Sequence, residues 1–235
     1  MCTDLLTAFM MALTVTRRVQ GVIPLPVDWK IFDAALRQSR DGNQLKAISI
    51  LSALLSDAET NSDRAAILLG QSSCYSQAKN IVKSQELLEL AKMCAQEDRE
   101  LLSQVAMSEA SLYALDGEHD SACEKFASVK SEYKDLLAQP ENDDFAMELD
   151  SRFACSLYEA GKYVEAIQLF EGLFKREELE DKQRLQVFFA FALIGTGRPS
   201  EAQPLLFEAM AGADPSLAQT ASDYLSKIGK TPLKL

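Results

Sequence analysis

The sequence predicts an all-α fold: a stack of antiparallel helix pairs, closed by a C-terminal helix. Three observations predict it. A five-position pattern of small, turn and apolar residues recurs four times along the chain. Ten Gly and seven Pro in 235 residues leave long stretches free of helix breakers. The apolar residues between these breakers recur at helical rather than strand spacing.

The recurrent pattern is anchored on Gly42, Gly117, Gly161 and Gly197. Seven residues before each stands an alanine: Ala35, Ala110, Ala154 and Ala190. Five residues after each stands another: Ala47, Ala122, Ala166 and Ala202. Large apolar residues follow four further on, at Leu51, Phe126, Phe170 and Leu206, and apolar residues again three beyond, at Leu54, Val129, Leu173 and Ala209. A small residue in mid-helix lets a neighbouring helix approach closely. A glycine ends that helix, because it takes the left-handed conformation without penalty. The later apolar residues keep one face of the return helix buried.

Gly161 and Gly197 lie 36 residues apart, and Gly117 and Gly161 lie 44 apart. The extra residues of the longer interval are assigned to a loop at Ala138–Asp144, around Pro140. Gly42 and Gly117 are 75 residues apart, room for one more, degenerate copy. Its helices are placed at Arg64–Lys79 and Ser84–Glu97. In that copy Tyr75 is taken in place of the alanine, Val82 of the glycine and Leu87 of the second alanine.

The run from Phe153 to Phe170 holds Ala154, Tyr158, Gly161, Tyr163, Ala166 and Phe170 in order. With this run the chain resembles the tetratricopeptide-repeat family, over residues 28–216 and most strongly in the last three copies, and the resemblance implies a right-handed superhelical stack (a TPR-like solenoid). The family's Trp and most of its prolines are missing. About five repeats follow, at 28–61, 68–101, 103–136, 147–180 and 183–216. Residues 1–27 are read as an N-terminal helix and a Pro-containing linker, the linker extended by Pro24 and Pro26. The helix is expected to pack back on the stack; a free docking arm is the alternative. Asp28 is placed to cap the first repeat helix. Residues 217–235 are read as capping helix and tail, Leu217, Ala218, Ala221, Leu225 and Ile228 giving Pro215–Ile228 its apolar side.

Composition restricts function. A net charge of −11 opposes binding to a phosphate backbone, so no nucleic acid partner is expected. The basic pair Arg17-Arg18, the tail Lys227–Lys234 and the acidic stretches Glu141–Asp144 and Glu177–Asp181 read as solvated ends and loops. The apolar run Leu5–Val15 is about half the ~20 residues of a spanning helix, and no membrane span is expected. Five cysteines without a Cys-x-x-Cys pair point to a reducing, cytoplasmic setting.

Chemistry is sparse. The single histidine, His119, sits between Gly117 and Ser121 in a turn, where consecutive residues do not converge as a triad does. One His and dispersed Cys do not make a metal site. The Gly195–Gly197 turn lacks the third glycine of a dinucleotide loop. No catalytic residue, metal or cofactor is expected, and the chain is read as a non-enzyme.

The resemblance implies a groove lined by the first helix of each pair, taking a peptide or helix of a partner protein. Counting six and ten residues back from each turn gives Leu36 and Phe32, Ser76 and Ser72, Ser111 and Met107, Cys155 and Ser151, Phe191 and Val187. The middle of this set is small and polar, and its ends, with Phe188, are apolar. Arg152 and Arg184 fall beside it and are candidates to hold a partner's carboxylate; pairing with acidic neighbours is the alternative. Some family members clamp a chaperone's C-terminal carboxylate with Lys, Asn, Asn, Lys and Arg. The matching positions here are Met107, Ser111, Arg152, Arg184 and Phe188 in one frame, and Phe32, Leu36, Ser73, Gln104 and Ser108 in the other. Neither set carries the clamp. The expected function is a non-catalytic adaptor or scaffold. A chaperone shielding an apolar client segment and a small-molecule sensor are the competing readings. Oligomeric state is left open.

Overall fold

The computed structural model describes residues 27–176, 179 and 181–228. The expected N-terminal helix, the linker with Pro24 and Pro26, the pair Arg17-Arg18 and the last seven residues lie outside them, as does part of the acidic stretch 177–181.

The described residues form twelve α-helices and no strand. They fall into two compact units, Met1–Asn142 and Asp143–Leu235. The first holds three antiparallel pairs: α1 (Trp29–Arg40) with α2 (Gln44–Asp57), α3 (Asn61–Gln77) with α4 (Ile81–Ala95), and α5 (Arg99–Leu115) with α6 (His119–Glu132). The short α7 (Lys134–Leu137) and a 3-10 turn at Pro140–Asn142 end it. The second unit pairs α8 (Asp143–Glu159) with α9 (Tyr163–Leu173) and α10 (Lys182–Gly195) with α11 (Pro199–Met210); α12 (Pro215–Ile228) packs on α11 and α10. Within the loop expected at Ala138–Asp144, Pro140–Asn142 form a 3-10 turn and Asp143 already begins α8.

Local chemistry starts these helices. The Asp28 carboxylate accepts from the Lys30 amide at 3.0 Å, and the Thr60 hydroxyl from that of Asp63 at 3.0 Å. Asp98 caps α5 in the same way through Leu101, at 3.2 Å. Each such cap satisfies an amide that has no partner within its helix.

The pairs close through small residues. All eight alanines of the recurrent pattern are fully buried, at 0% exposure. Leu51, Phe126, Phe170 and Leu206, one turn further on, are 0–1% exposed. The turn glycines have φ between +74° and +87°. Each chain reversal also shows one hydrogen-bond signature. The turn residue donates three residues back and its successor five back, as in Gly161 N to Tyr158 O (2.9 Å) and Lys162 N to Leu157 O (2.8 Å).

That signature moves the turn between α3 and α4 from where the sequence pattern put it. Lys79, with φ +59°, donates to Ser76 O, and Asn80 donates to Tyr75 O, both at 2.9 Å. The turn residue is therefore Lys79, three positions before Val82. Val82 sits exposed in the first turn of α4. The two small residues become Ser72 and Ser84, 2% and 0% exposed, and their hydroxyls meet at 2.7 Å. Leu88 and Ala91 fill the later apolar positions and are buried. Serine thus stands in this helix pair where the other pairs have alanine, and lysine where they have glycine.

Backbone strain yields a paired prediction. Lys79→Gly removes a side chain from a left-handed position that costs about 1 kcal/mol for a non-glycine residue. Gly161→Ala imposes that strain, with nothing within 4 Å of the new methyl. The first is expected to raise the denaturant midpoint and the second to lower it, each by the equivalent of about 1 kcal/mol. Equal midpoints would show that these turns do not need the left-handed conformation.

Candidate functional site

The groove candidates lie on the first helices of the pairs, and helix packing decides which reach solvent. In the first unit all six are buried. Phe32 and Leu36 are buried and turn toward α3. A methyl added at Gly70 would stand 2.9 Å from Phe32 Cε2 and 3.4 Å from Leu36 Cδ2. Trp29 meets Phe32 edge-on, with ring centroids 5.2 Å apart. Met107 is fully buried, and Ser111 is buried and donates to the Met107 carbonyl at 2.9 Å.

Ser72 and Ser76 were assigned to the groove through the Val82 frame, and the Lys79 frame moves that assignment. Ser72 faces α4, where Ser84 Oγ also donates to its carbonyl at 2.9 Å. Ser76 donates within its own helix, to Ser73 O at 2.8 Å. Counting from Lys79 puts Ser73 and Leu69 at the corresponding positions. All four of Leu69, Ser72, Ser73 and Ser76 are buried.

The second unit gathers its candidates more closely. Arg152 and Arg184 are 3% and 5% exposed. Arg152 pairs with Glu148 one turn back, and Arg184 Nη2 lies 2.7 Å from Asp181 Oδ2. Burying a guanidinium is costly without a carboxylate beside it, and each arginine has one within its own unit. Pairing with acidic neighbours is the arrangement present. Cys155 is buried beside them, and loss of solvent pushes its thiol up to about 12, against a partial pull down from Arg184. Ser151 is half-buried and bonds back to Met147 O at 2.8 Å.

Val187 and Phe188 are buried, at 1% and 4%, whereas Phe191 is half-buried. Phe191 belongs to a strip the sequence reading did not assemble. Its ring centroid lies 6.2 Å from that of Tyr158 on α8 and 4.0 Å from that of Tyr224 on α12. Tyr158 also touches Phe188 edge-on at 5.3 Å and Tyr163 at 5.7 Å. Tyr158, Phe191 and Tyr224 are all half-buried, so the strip keeps an edge in solvent across three helices. Its sequence signal is the equal spacing of 33 residues from Tyr158 to Phe191 and from Phe191 to Tyr224.

The remaining chemistry is structural. His119 opens α6, and the Ser121 hydroxyl is directed to Glu118 at 3.2 Å. Among the described residues, no three His, Cys, Asp or Glu are placed to hold a metal ion. No helix among them is long and apolar enough to cross a membrane.

Comparison with known proteins bears on the fold. A family model described as Tetratrico peptide repeat matches residues 103–228, over half of the chain. Two structures of nearly identical kinesin-light-chain-type TPR-like repeats from Podosopora anserina are similar in fold. Each is 19% identical, with TM-scores of 0.57 and 0.56, and covers 78% of this chain and 92% or 93% of its own. MamA from AMB-1 is 20% identical over 77% of this chain and 95% of its own; its TM-score of 0.46 is too low to bear on function. No curated protein matches.

Burial makes a chemical prediction. Among the cysteines of the described residues, iodoacetamide at pH 8 should modify half-buried Cys94 first and leave Cys74 and Cys155 until the chain unfolds, read by peptide mass spectrometry. The sign with pH follows. The Cys155 thiol holds its proton to about 12 when folded, against the ordinary 9.0. Its contribution to stability is therefore complete below pH 9 and is lost as pH climbs from there toward 12. Early labelling of Cys155 in the folded chain would contradict both statements.

Proposed function

The chain belongs to the tetratricopeptide-repeat family, and from that premise we propose that it is an adaptor that seats a peptide or helix of another protein on the first-helix face of its second unit. Family and fold are those of protein–protein interaction modules, which are typically non-catalytic. The division into five repeats and a cap, with the second repeat set on Lys79, belongs to this proposal, as does a cytoplasmic setting.

One observation carries the reading: the half-buried strip Tyr158–Phe191–Tyr224. Aromatic side chains offer large contact area for little lost rotamer freedom, and they dominate the residues that anchor interfaces. Here three of them touch in series along three helices, held from below by buried Phe188. The buried arginines already have their carboxylates, so the partner's contribution is apolar or aromatic contact rather than a terminal carboxylate.

Affinity capture from the native source tests this. Phe191→Ala and Tyr224→Ala are each expected to weaken capture of the partner by about 2 kcal/mol, roughly 30-fold. Phe207→Ala, on the exposed side of α11, is expected to leave it unchanged. A partner retained by both strip variants, or lost with Phe207→Ala, counts against the proposal.

A further inference from the structure

Helix α12 is held by little apolar surface. Of its 14 residues only Leu217 and Ala221 are buried, and the rest are half-buried or exposed. Ordering a helix of that length carries an entropy cost that two such side chains offset poorly. Yet α12 carries Tyr224, whose ring centroid lies 4.0 Å from that of Phe191 on α10. A second attachment lies at the start of α12. Gln183, in the first turn of α10, commits its whole amide to the turn between α11 and α12. Its Nε2 donates to Ala209 O at 2.8 Å and to Asp214 O at 3.0 Å, and its Oε1 accepts from Asp214 N at 2.9 Å. Asp214 in turn starts α12, its carboxylate accepting from Ser216 N at 2.8 Å and Leu217 N at 3.2 Å. Gly212 leaves room for this bridge. Its backbone is not left-handed, so space rather than conformation calls for glycine. A methyl there would stand 2.1 Å from Gln183 Cδ and 2.4 Å from its Oε1. Helix α11 is secured separately, by buried Ala202, Leu206 and Ala209 and by Gln186 Nε2 donating to Glu208 Oε2 at 2.6 Å.

We propose that Gln183 is a positioning residue for the aromatic strip: its amide latches the start of α12 to α10 and so sets Tyr224 against Phe191 before a partner arrives. This rests on the reading of the strip as the partner site. Gln183 and Phe191 are eight residues apart, about 12 Å along α10. Asp214 and Tyr224 are ten apart, about 15 Å along α12. The early residues of the two helices meet through the latch and the later ones through the rings, so α12 runs beside α10 in the same direction. Two fixed points stop it from pivoting, where the ring contact alone would not. The glutamine lies a helix-length of two turns from the strip and acts on it only through α12. A strip already assembled spares the partner the cost of ordering it.

The test uses the full chain. Gln183→Ala is expected to speed amide exchange along α12 by about tenfold, to shift the Tyr224 ring protons, and to leave exchange in α8 and α9 unchanged. Gly212→Ala should do the same, because its methyl displaces the glutamine amide. The two together should do no more than either alone, since the methyl then meets no amide. These readings need no partner, so failure of the latch is told apart from failure of the strip as a partner site, which Phe191→Ala reports. Where capture of the partner is sensitive to Phe191→Ala, Gln183→Ala should weaken it about tenfold. Unchanged exchange in α12, additive effects of the two variants, acceleration spread equally over α8 and α9, or such capture left undiminished would overturn the proposal.

Discussion

The close approach of paired helices is the constraint on which this structure rests. At every crossing stands a residue no larger than alanine or serine, and nearly all of these are sealed from solvent. A larger side chain there would hold the two backbones apart, and the apolar residues one turn further on would lose their partners. The left-handed turn beside each crossing fixes how the chain returns. Size at the crossing and handedness at the turn therefore act together, and the sequence must satisfy both in each repeat.

The second repeat shows what such a requirement permits. Ser72 and Ser84 meet the size limit but bring two hydroxyls into the core. The structure satisfies them by bonding one to the other and to the Ser72 carbonyl. Lys79 accepts the left-handed conformation that glycine takes elsewhere, and Asn80 compensates by capping α4 through the Lys83 amide at 3.1 Å. A buried polar group is tolerated when its partner is built in. The same rule governs Arg152 and Arg184, whose carboxylate partners lie on or beside their own helices.

Much of this was legible in the sequence, and the limits have physical causes. Glycine and alanine announce a turn and a crossing, so four chain reversals could be placed from Gly42, Gly117, Gly161 and Gly197. The fifth was framed three residues late because lysine and serine satisfy the same geometry without announcing it. The groove offsets inherited that error at Ser72 and Ser76. Pro215–Ile228 was readable as a helix because a proline starts it and one apolar side runs its length. The aromatic strip was not assembled, because its members occupy different positions relative to their turns and meet only through packing. The burial of Met107 and Val187 was not readable either, since apolar spacing does not tell a groove wall from a packed interior.

The account rests on size rather than hydroxyl chemistry at the crossing, and Ser72 separates the two. Replacing Ser72 and Ser84 together by alanine should leave the denaturant midpoint within the equivalent of about 1 kcal/mol of the parent, because both partners of a buried hydrogen bond are removed at once. Ser72→Leu should lower it by about 1–3 kcal/mol or more. A leucine tolerated at position 72, or a collapse on double alanine replacement, would contradict the claim that close packing holds these pairs.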